Sequence, residues 1–230
     1  MMSKKLVLAS LLLIFTTSLS GPVLADNIQI VNPSFESIAG SLSYTCGTGC
    51  AFNYGPIPGW SSIAGGSWQP GSFFTSIPDG SLIAFANIQS SLTQTLSGTS
   101  VVTNSLYTFS VYVGQRIDDI SGNYSLSLDT ILGGVTTTLC NVSGNAASIA
   151  PGTFQLESCS YLSSSSVPSG DLFLQLTAVS GQLDVDDVSL TVQPASTVPE
   201  PSSALFLGVG ILSLAAIFMV RKRGEVSLAA

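Results

Sequence analysis

A two-residue alternation of apolar and polar side chains constrains the fold most strongly, and it recurs through the central part of the chain. In the clearest segment Tyr107, Phe109, Val111 and Val113 are spaced to share one face of an extended strand. About eight further short runs of this kind are separated by turn-forming residues, and no helical period is sustained. The pattern predicts an all-β fold, a single antiparallel β-sandwich or jelly roll over residues 26–192.

The two ends of the chain have the features of targeting segments. Residues 1–25 have the order of a secretory signal peptide, with Lys4 and Lys5, an apolar core and a cleavage site that ends at Ala25. After a polar linker at residues 193–197, residues 204–220 are apolar and uncharged, which predicts a transmembrane helix. Basic residues directly after this helix predict that the sandwich lies on the periplasmic side of the inner membrane.

The segment at residues 198–223 combines three features in a fixed order. These are the motif Pro199-Glu200-Pro201, the apolar run and the basic cluster Arg221-Lys222-Arg223. In this order they resemble the PEP-CTERM sorting signal of Gram-negative bacteria. The resemblance implies an exosortase-type processing enzyme as a partner, the inner membrane as a tether and final delivery to the cell surface or extracellular matrix. A plain stop-transfer anchor is the alternative. Residues 224–230, after the basic cluster, are predicted to be a short cytoplasmic tail.

Charge and composition exclude several classes of function. The net charge is −7, and Arg116 is the only basic residue between the two ends, so no nucleic-acid partner is expected. The chain contains no histidine, which excludes serine–histidine and cysteine–histidine catalysis and removes the usual zinc ligand. A glycosidase that uses carboxylates alone survives this test.

Four cysteines lie in the part of the chain that is expected to be exported. An oxidising compartment permits disulfides, and four cysteines allow three pairings. The spacing favours Cys46 with Cys50 and Cys140 with Cys159, the second pair joining two adjacent strands. A metal site made of the four thiolates is the alternative, but the spacing lacks paired Cys-x-x-Cys motifs.

Motifs in the first and last predicted strands and in one loop carry a second resemblance. The sequences Val31-Asn32-Pro33-Ser34-Phe35-Glu36, Pro56-Ile57-Pro58-Gly59-Trp60 and Leu183-Asp184-Val185-Asp186-Asp187-Val188-Ser189-Leu190 resemble galactose-binding-like jelly rolls of extracellular carbohydrate-binding modules. That resemblance implies a structural calcium held by Glu36 and Asp186, with Asp187 as the adjacent candidate. The period of two places Asp186 and Asp184 on the inward face with Val188, and a solvated carboxylate at the rim of the sandwich is the alternative.

Aromatic residues in loops rich in glycine and proline are candidates for a ligand surface. Trp68 is expected to be an exposed contact for a sugar ring, and Trp60 is a second candidate, for which a core position is the alternative. The sequence thus predicts a non-enzymatic cell-surface or matrix protein that binds extracellular polysaccharide. A structural biofilm component without a ligand and a carboxylate-only glycan hydrolase are the alternatives.

Overall fold

The computed structural model describes residues 24–118 and 120–195, which form two antiparallel β-sheets and two short 3₁₀ helices. The predicted all-β sandwich is therefore confirmed. The strands are β1 (Asp26–Asn27), β2 (Tyr44–Gly47), β3 (Cys50–Tyr54), β4 (Ser61–Ser62), β5 (Gly65–Pro70), β6 (Ile83–Ala86), β7 (Ser90–Ser100), β8 (Ser105–Gln115), β9 (Asn123–Leu132), β10 (Val135–Asn145), β11 (Thr153–Leu162), β12 (Asp171–Ala178) and β13 (Leu183–Pro194). The 3₁₀ helices are Gly71–Phe73 and Ala146–Ser148.

Several of the sequence predictions concern residues outside the described ranges. The signal peptide lies outside the described residues except for its last two positions, and the sorting motif, the transmembrane helix and the short tail lie outside them entirely. In the described part of the chain, no helix has the length and apolar character needed to cross a membrane. The sorting signal, the exosortase and the membrane tether stay predictions.

The two sheets differ in size. The larger sheet has eight strands in the order β11–β8–β13–β6–β5–β3–β2, with β1 paired to β13. The smaller sheet has five strands in the order β10–β9–β12–β7–β4. Because β8 and β13 lie in the middle of the larger sheet, each has a paired strand on both sides.

The main core lies between the sheets and is built from alternate residues of the central strands. Phe109, Val111 and Val113 of β8 are fully buried there, as their alternation predicts. Trp60 packs in the same core, with its ring centre 5.3 Å from that of Phe35. Its indole N–H donates to the carbonyl oxygens of residues 31 and 32 at 3.0 and 3.1 Å. Trp60 is thus a core residue and does not present a surface to a sugar.

The last strand contains a β-bulge that its sequence pattern does not reveal. The register between β13 and β8 shifts directly after Asp186, so two residues of β13 lie opposite one residue of β8. Asp187, within the bulge, has a φ of 47°. The extra residue returns Val188 to the core while Asp184 and Asp186 lie on the opposite, outer face of the sheet. The prediction that these carboxylates share the inward face of Val188 is therefore wrong.

Both predicted disulfides are present. Cys46 is bonded to Cys50 across the tight connection between β2 and β3, and Cys140 is bonded to Cys159. The second bond differs from the prediction in one respect, because β10 and β11 are edge strands of different sheets. It therefore joins the two layers of the sandwich along one open side.

Removing the disulfide between the sheets is expected to cost more stability than removing the hairpin disulfide. In the chain-entropy model the Cys140→Ser and Cys159→Ser double variant loses about 3 kcal/mol of unfolding free energy, and the Cys46→Ser and Cys50→Ser variant loses about 2 kcal/mol, because the closed loops differ in length. Urea denaturation of the two variants measures both values. Equal losses would contradict the loop-length argument.

Candidate functional site

A second apolar cluster lies on the outer face of the larger sheet, separate from the core between the sheets. Its buried members are Cys50, Trp68, Phe74, Ile83 and Phe85. Partly buried aromatic and aliphatic side chains pack around it, namely Phe52, Phe73, Ile77 and Phe154. Side chains of the connection after β5 and of β11 pack against the cluster, so it forms a second, smaller core outside the sandwich.

A cavity of about 210 Å³ opens in this cluster. The register of the strands explains its composition, since Tyr54, Gly66, Phe85 and Asp184 lie in one row across β3, β5, β6 and β13. Side chains of such a row that share a face of the sheet lie next to one another. The cavity is lined by Cys46, Phe52, Tyr54, Trp68, Phe73, Phe85, Asn87, Arg116 and Gln182.

Asp184 lies in that row beside the cavity and is fully buried. Its Oδ1 accepts a hydrogen bond from Gln182 Nε2 at 2.6 Å, and its Oδ2 is buried without a hydrogen-bond partner among the described residues. Burial raises the pKa of Asp184 to about 7, although the Gln182 hydrogen bond and the nearby Arg116 charge oppose this. Much of this carboxyl group is therefore protonated near neutral pH, which makes it a potential proton donor.

Arg116 forms part of the cavity wall and is held on several sides. The guanidinium carbon lies 4.7 Å from the ring centre of Trp68 and 4.6 Å from that of Phe73. Nε and Nη2 donate to the two carboxylate oxygens of Asp118 at 2.7 and 2.6 Å. Nη1 donates to Gln182 Oε1 at 3.2 Å. The arginine thus links the aromatic wall to the side chain that contacts Asp184.

The connection between β5 and β6, residues 71–82, is fixed by the two carboxylates that the sequence assigned to calcium. Glu36 Oε1 accepts from the backbone N–H of Ser81 and Leu82 at 2.8 and 2.6 Å. Asp186 Oδ2 accepts from the backbone N–H of Asp79 at 3.0 Å. Burial raises the pKa of Asp186 to about 7, against the effect of its backbone hydrogen bonds. Both carboxylates therefore hold the segment that carries Phe73 over the cavity.

The structure places the predicted calcium ligands as follows. Glu36 and Asp186 bind the same segment, whereas the Asp187 side chain is exposed. In residues 24–118 and 120–195, no three acidic or cysteine side chains are grouped in a way that could hold a metal ion. Calcium binding stays a prediction, and oxygen atoms other than those of acidic side chains, such as backbone carbonyls, would have to contribute to such a site.

Replacing Glu36 with alanine is expected to loosen residues 71–82. Three hydrogen bonds to a charged acceptor are lost, so the unfolding free energy falls by about 2–3 kcal/mol and the amides of Ser81 and Leu82 exchange faster. Asp26→Ala, an exposed carboxylate on β1, is the control. Added calcium raises the melting temperature of the wild type but not of Glu36→Ala if the calcium prediction is right. Unchanged amide exchange would show that Glu36 does not hold the segment.

Sequence reasoning found one side chain of the cavity and missed most of the others. Trp68 lines the cavity, but its side chain is buried instead of exposed, and its indole N–H contacts Cys50 Sγ at 3.2 Å. The residues that were missed include Phe52, Tyr54 and Phe85. The alternation of Phe52 with Tyr54 around a polar residue was the available signal for an apolar outer face.

Together these features define a class of protein: a β-sandwich that carries, on the outside of one sheet, a cavity with aromatic walls and, beside it, a buried acidic group. A family model described as HpiC1-like, HpiC1 cyclase, matches residues 26–191. The chain belongs to this family. The match ends before the C-terminal segment and does not bear on the predicted sorting signal. No curated protein sequence matches the chain significantly.

Solved structures show the same fold. The chain resembles an apo-form cyclase from Fischerella sp. at 23% identity and a TM-score of 0.61, with 75% of this chain and 98% of that chain covered. It also resembles a cyclase from Fischerella sp. TAU in complex with 4-(1H-indol-3-yl)butan-2-one, at 19% identity and a TM-score of 0.58, over 75% and 100% of the two chains. The xylan-binding CBM22-1 domain of Paenibacillus barcinonensis Xyn10C matches at 12% identity and a TM-score of 0.46, over 76% and 100% of the chains. That score is too low to support glycan binding here.

These findings correct the functional interpretation of the sequence. The prediction that the protein is not an enzyme is wrong, because the family to which the chain belongs is described as one of cyclases. The family is not one of glycan hydrolases, so the hydrolase alternative is not supported either. The absence of histidine excluded only the mechanisms that need it, and a buried carboxyl group can transfer a proton without one.

Proposed function

We propose that the protein is a cyclase in which Asp184 acts as the general acid for an apolar, unsaturated substrate bound in the aromatic cavity. The observation that carries this proposal is the buried Asp184 carboxyl group, whose Oδ2 has no partner among the described residues and which lies in the same strand-to-strand row as Phe85 and Tyr54. Protonated carboxyl groups that donate at neutral pH are found where burial disfavours the charged form.

The proposed step conserves every atom of the substrate. Asp184 Oδ2–H gives its proton to one carbon of a double bond, which leaves a carbocation on the neighbouring carbon and a carboxylate on Asp184. An internal double bond or aromatic ring supplies the electron pair that forms the new ring bond. Loss of a proton from the cyclised cation to Asp184 restores the acid, so the product is an isomer of the substrate.

The cavity walls suit a cationic intermediate. Phe52, Tyr54 and Phe85 present aromatic rings, whose faces attract positive charge when water is displaced. Apart from the Tyr54 hydroxyl, these rings offer the cation no nucleophilic oxygen. The cationic Arg116 is already paired with Asp118 and Gln182, which reduces its repulsion of a second positive charge.

The substrate class is proposed from the same walls. An aromatic, weakly polar molecule fits a cavity of about 210 Å³ with this lining. One Fischerella cyclase of the same fold is described in complex with 4-(1H-indol-3-yl)butan-2-one, which is a molecule of this kind. We therefore propose alkenyl-substituted aromatic compounds, indoles among them, as the substrate class.

The full-length protein incubated with a panel of alkenyl indoles is expected to form a cyclised isomer of unchanged mass, detected by chromatography and mass spectrometry. Phe85→Leu removes a ring from the wall at small cost in volume and should lower turnover on the order of 10-fold. Gln175→Leu, on the smaller sheet, is the matched control and should keep wild-type turnover. Equal turnover by Phe85→Leu and Gln175→Leu would show that the reaction occurs elsewhere.

We also propose that this activity is located outside the cytoplasm. The predicted signal peptide and the two disulfides support this location, because disulfides persist in oxidising compartments. Fractionation of cells that express the full chain tests it, and a protein recovered only from the cytoplasm with reduced cysteines would contradict it.

A further inference from the structure

The carboxyl group of Asp184 has two oxygens in different situations. Oδ1 accepts a hydrogen bond from Gln182 Nε2, whereas Oδ2 has no partner among the described residues. A carboxyl group that is free to rotate can point either oxygen in several directions. The group that fixes the orientation of the Gln182 amide therefore also decides which oxygen of Asp184 accepts its hydrogen bond.

Arg116 fixes that orientation. Its guanidinium group can only donate hydrogen bonds, and Nη1 lies 3.2 Å from the oxygen of the Gln182 side chain. If the Gln182 amide were turned over, its NH₂ group would face another donor. The amide nitrogen must therefore point to Asp184 Oδ1, which accepts its hydrogen bond, and Oδ2 is left without a partner among the described residues.

Arg116 is itself held rigidly. Its guanidinium plane is packed against the rings of Trp68 and Phe73, and it binds both carboxylate oxygens of Asp118. It is also the only basic side chain in the described part of the chain. The contacts come from β5, from the connection that follows β5 and from the end of β8, so residues that are far apart in sequence determine its position.

We infer that Arg116 and Gln182 are positioning residues that fix the orientation of the Asp184 carboxyl group: Arg116 orients the Gln182 amide, and the amide binds Oδ1 and leaves Oδ2 unbound. This inference rests on the proposed function, since it concerns the same acid. Two aromatic residues have a different role from the other three, because Arg116 packs against the ring faces of Trp68 and Phe73. Phe52, Tyr54 and Phe85 are then the rings that face the substrate.

Hydrogen exchange of the Gln182 side-chain amide tests the arrangement without any substrate. In the full-length wild-type protein, this NH₂ group is expected to exchange slowly in NMR spectra and to be identified by its loss in Gln182→Glu. Arg116→Met removes the donor that orients the amide, so exchange is expected to accelerate on the order of 10-fold or more. Arg116→Lys keeps a donor but not the planar fork, and should give an intermediate rate.

Turnover of an alkenyl indole provides the second measurement. Arg116→Met and Gln182→Glu are expected to lower kcat on the order of 10- to 100-fold and to leave KM nearly unchanged, because an acid that is misplaced slows the chemical step. Gln175→Glu is the matched control, because this strand glutamine lies in the smaller sheet and its amide donates to Thr177. If Arg116→Met does not fold, Gln182→Glu still tests the arrangement, since it keeps the acceptor for Arg116 and removes the donor to Asp184.

The outcomes separate this inference from the proposed function. Unchanged Gln182 amide exchange in Arg116→Met, or a rise in KM with constant kcat, overturns the positioning role even if Asp184 is the acid. Full turnover by Asp184→Asn overturns the proposed function, whatever the amide exchange shows. Faster exchange together with a lower kcat in Arg116→Met supports the inference.

Discussion

Replacing Asp184 with asparagine is expected to abolish most of the cyclase activity while leaving the fold intact. Asparagine has nearly the same shape and can still accept from Gln182 through its oxygen, but it has no acidic proton to give. General acid catalysis typically contributes 10²- to 10⁴-fold, so kcat is expected to fall by about that factor. Turnover of an alkenyl indole, compared with the circular dichroism spectrum and melting temperature, measures the effect.

A second buried aspartate provides the control for this substitution. Asp129 is nearly as buried as Asp184, but it lies on β9 in the smaller sheet and accepts from the Ser127 hydroxyl at 2.6 Å. Asp129→Asn is expected to keep turnover within about twofold of wild type, since its carboxylate is distant from the cavity in the fold. A comparable loss of activity in both variants would mean that buried aspartates matter for stability alone.

The stability of the protein is expected to depend on pH through Asp184. Its pKa is raised from 3.8 to about 7 in the folded protein, mainly by burial, so folding binds a proton. The contribution of Asp184 to the unfolding free energy is therefore most favourable below about pH 4, where the group is protonated in both the folded and the unfolded protein. This contribution is lost as the pH rises through 7. Because each pKa unit corresponds to 1.36 kcal/mol, the loss is on the order of 4 kcal/mol.

Comparison with Asp184→Asn isolates this effect from the other carboxylates. The difference in unfolding free energy between the variant and the wild type is expected to shift in favour of the variant between pH 4 and pH 8. Urea denaturation at intervals of one pH unit measures it. Asp186, whose pKa is also raised by burial, acts in the same direction and is present in both proteins. A difference that stays constant with pH would mean that Asp184 is charged in the folded protein throughout.

The sequence predicts those parts of the structure that depend on neighbouring residues. The alternation from Tyr107 to Val113 identifies β8 and its buried face, and short spacings identify both disulfide pairs. In each case the partners are either adjacent in the pattern or close in the chain. For Trp60 the sequence left two positions open, a ligand surface and the core, and the side chain lies in the core.

The cavity could not be predicted in the same way, because its walls come from distant strands. Phe52, Phe85 and Gln182 meet only when β3, β6 and β13 are ordered side by side in the larger sheet. One inserted residue at Asp187 also reverses the face on which Asp184 lies, and nothing in the alternation marks the insertion. The carboxyl group that best supports an enzymatic function was therefore assigned to the wrong side of the sheet.

The separation of the two apolar clusters has a consequence for how such a protein can change. The core that stabilises the sandwich lies between the sheets, whereas the cavity lies on the far side of one sheet, against an edge hairpin closed by the Cys46–Cys50 bond. Substitutions at Phe52 or Tyr54 alter the walls of the proposed substrate cavity without touching the contacts between the layers. New substrate preferences can thus accumulate in this lineage, or be selected in the laboratory, on a scaffold whose folding is left largely undisturbed.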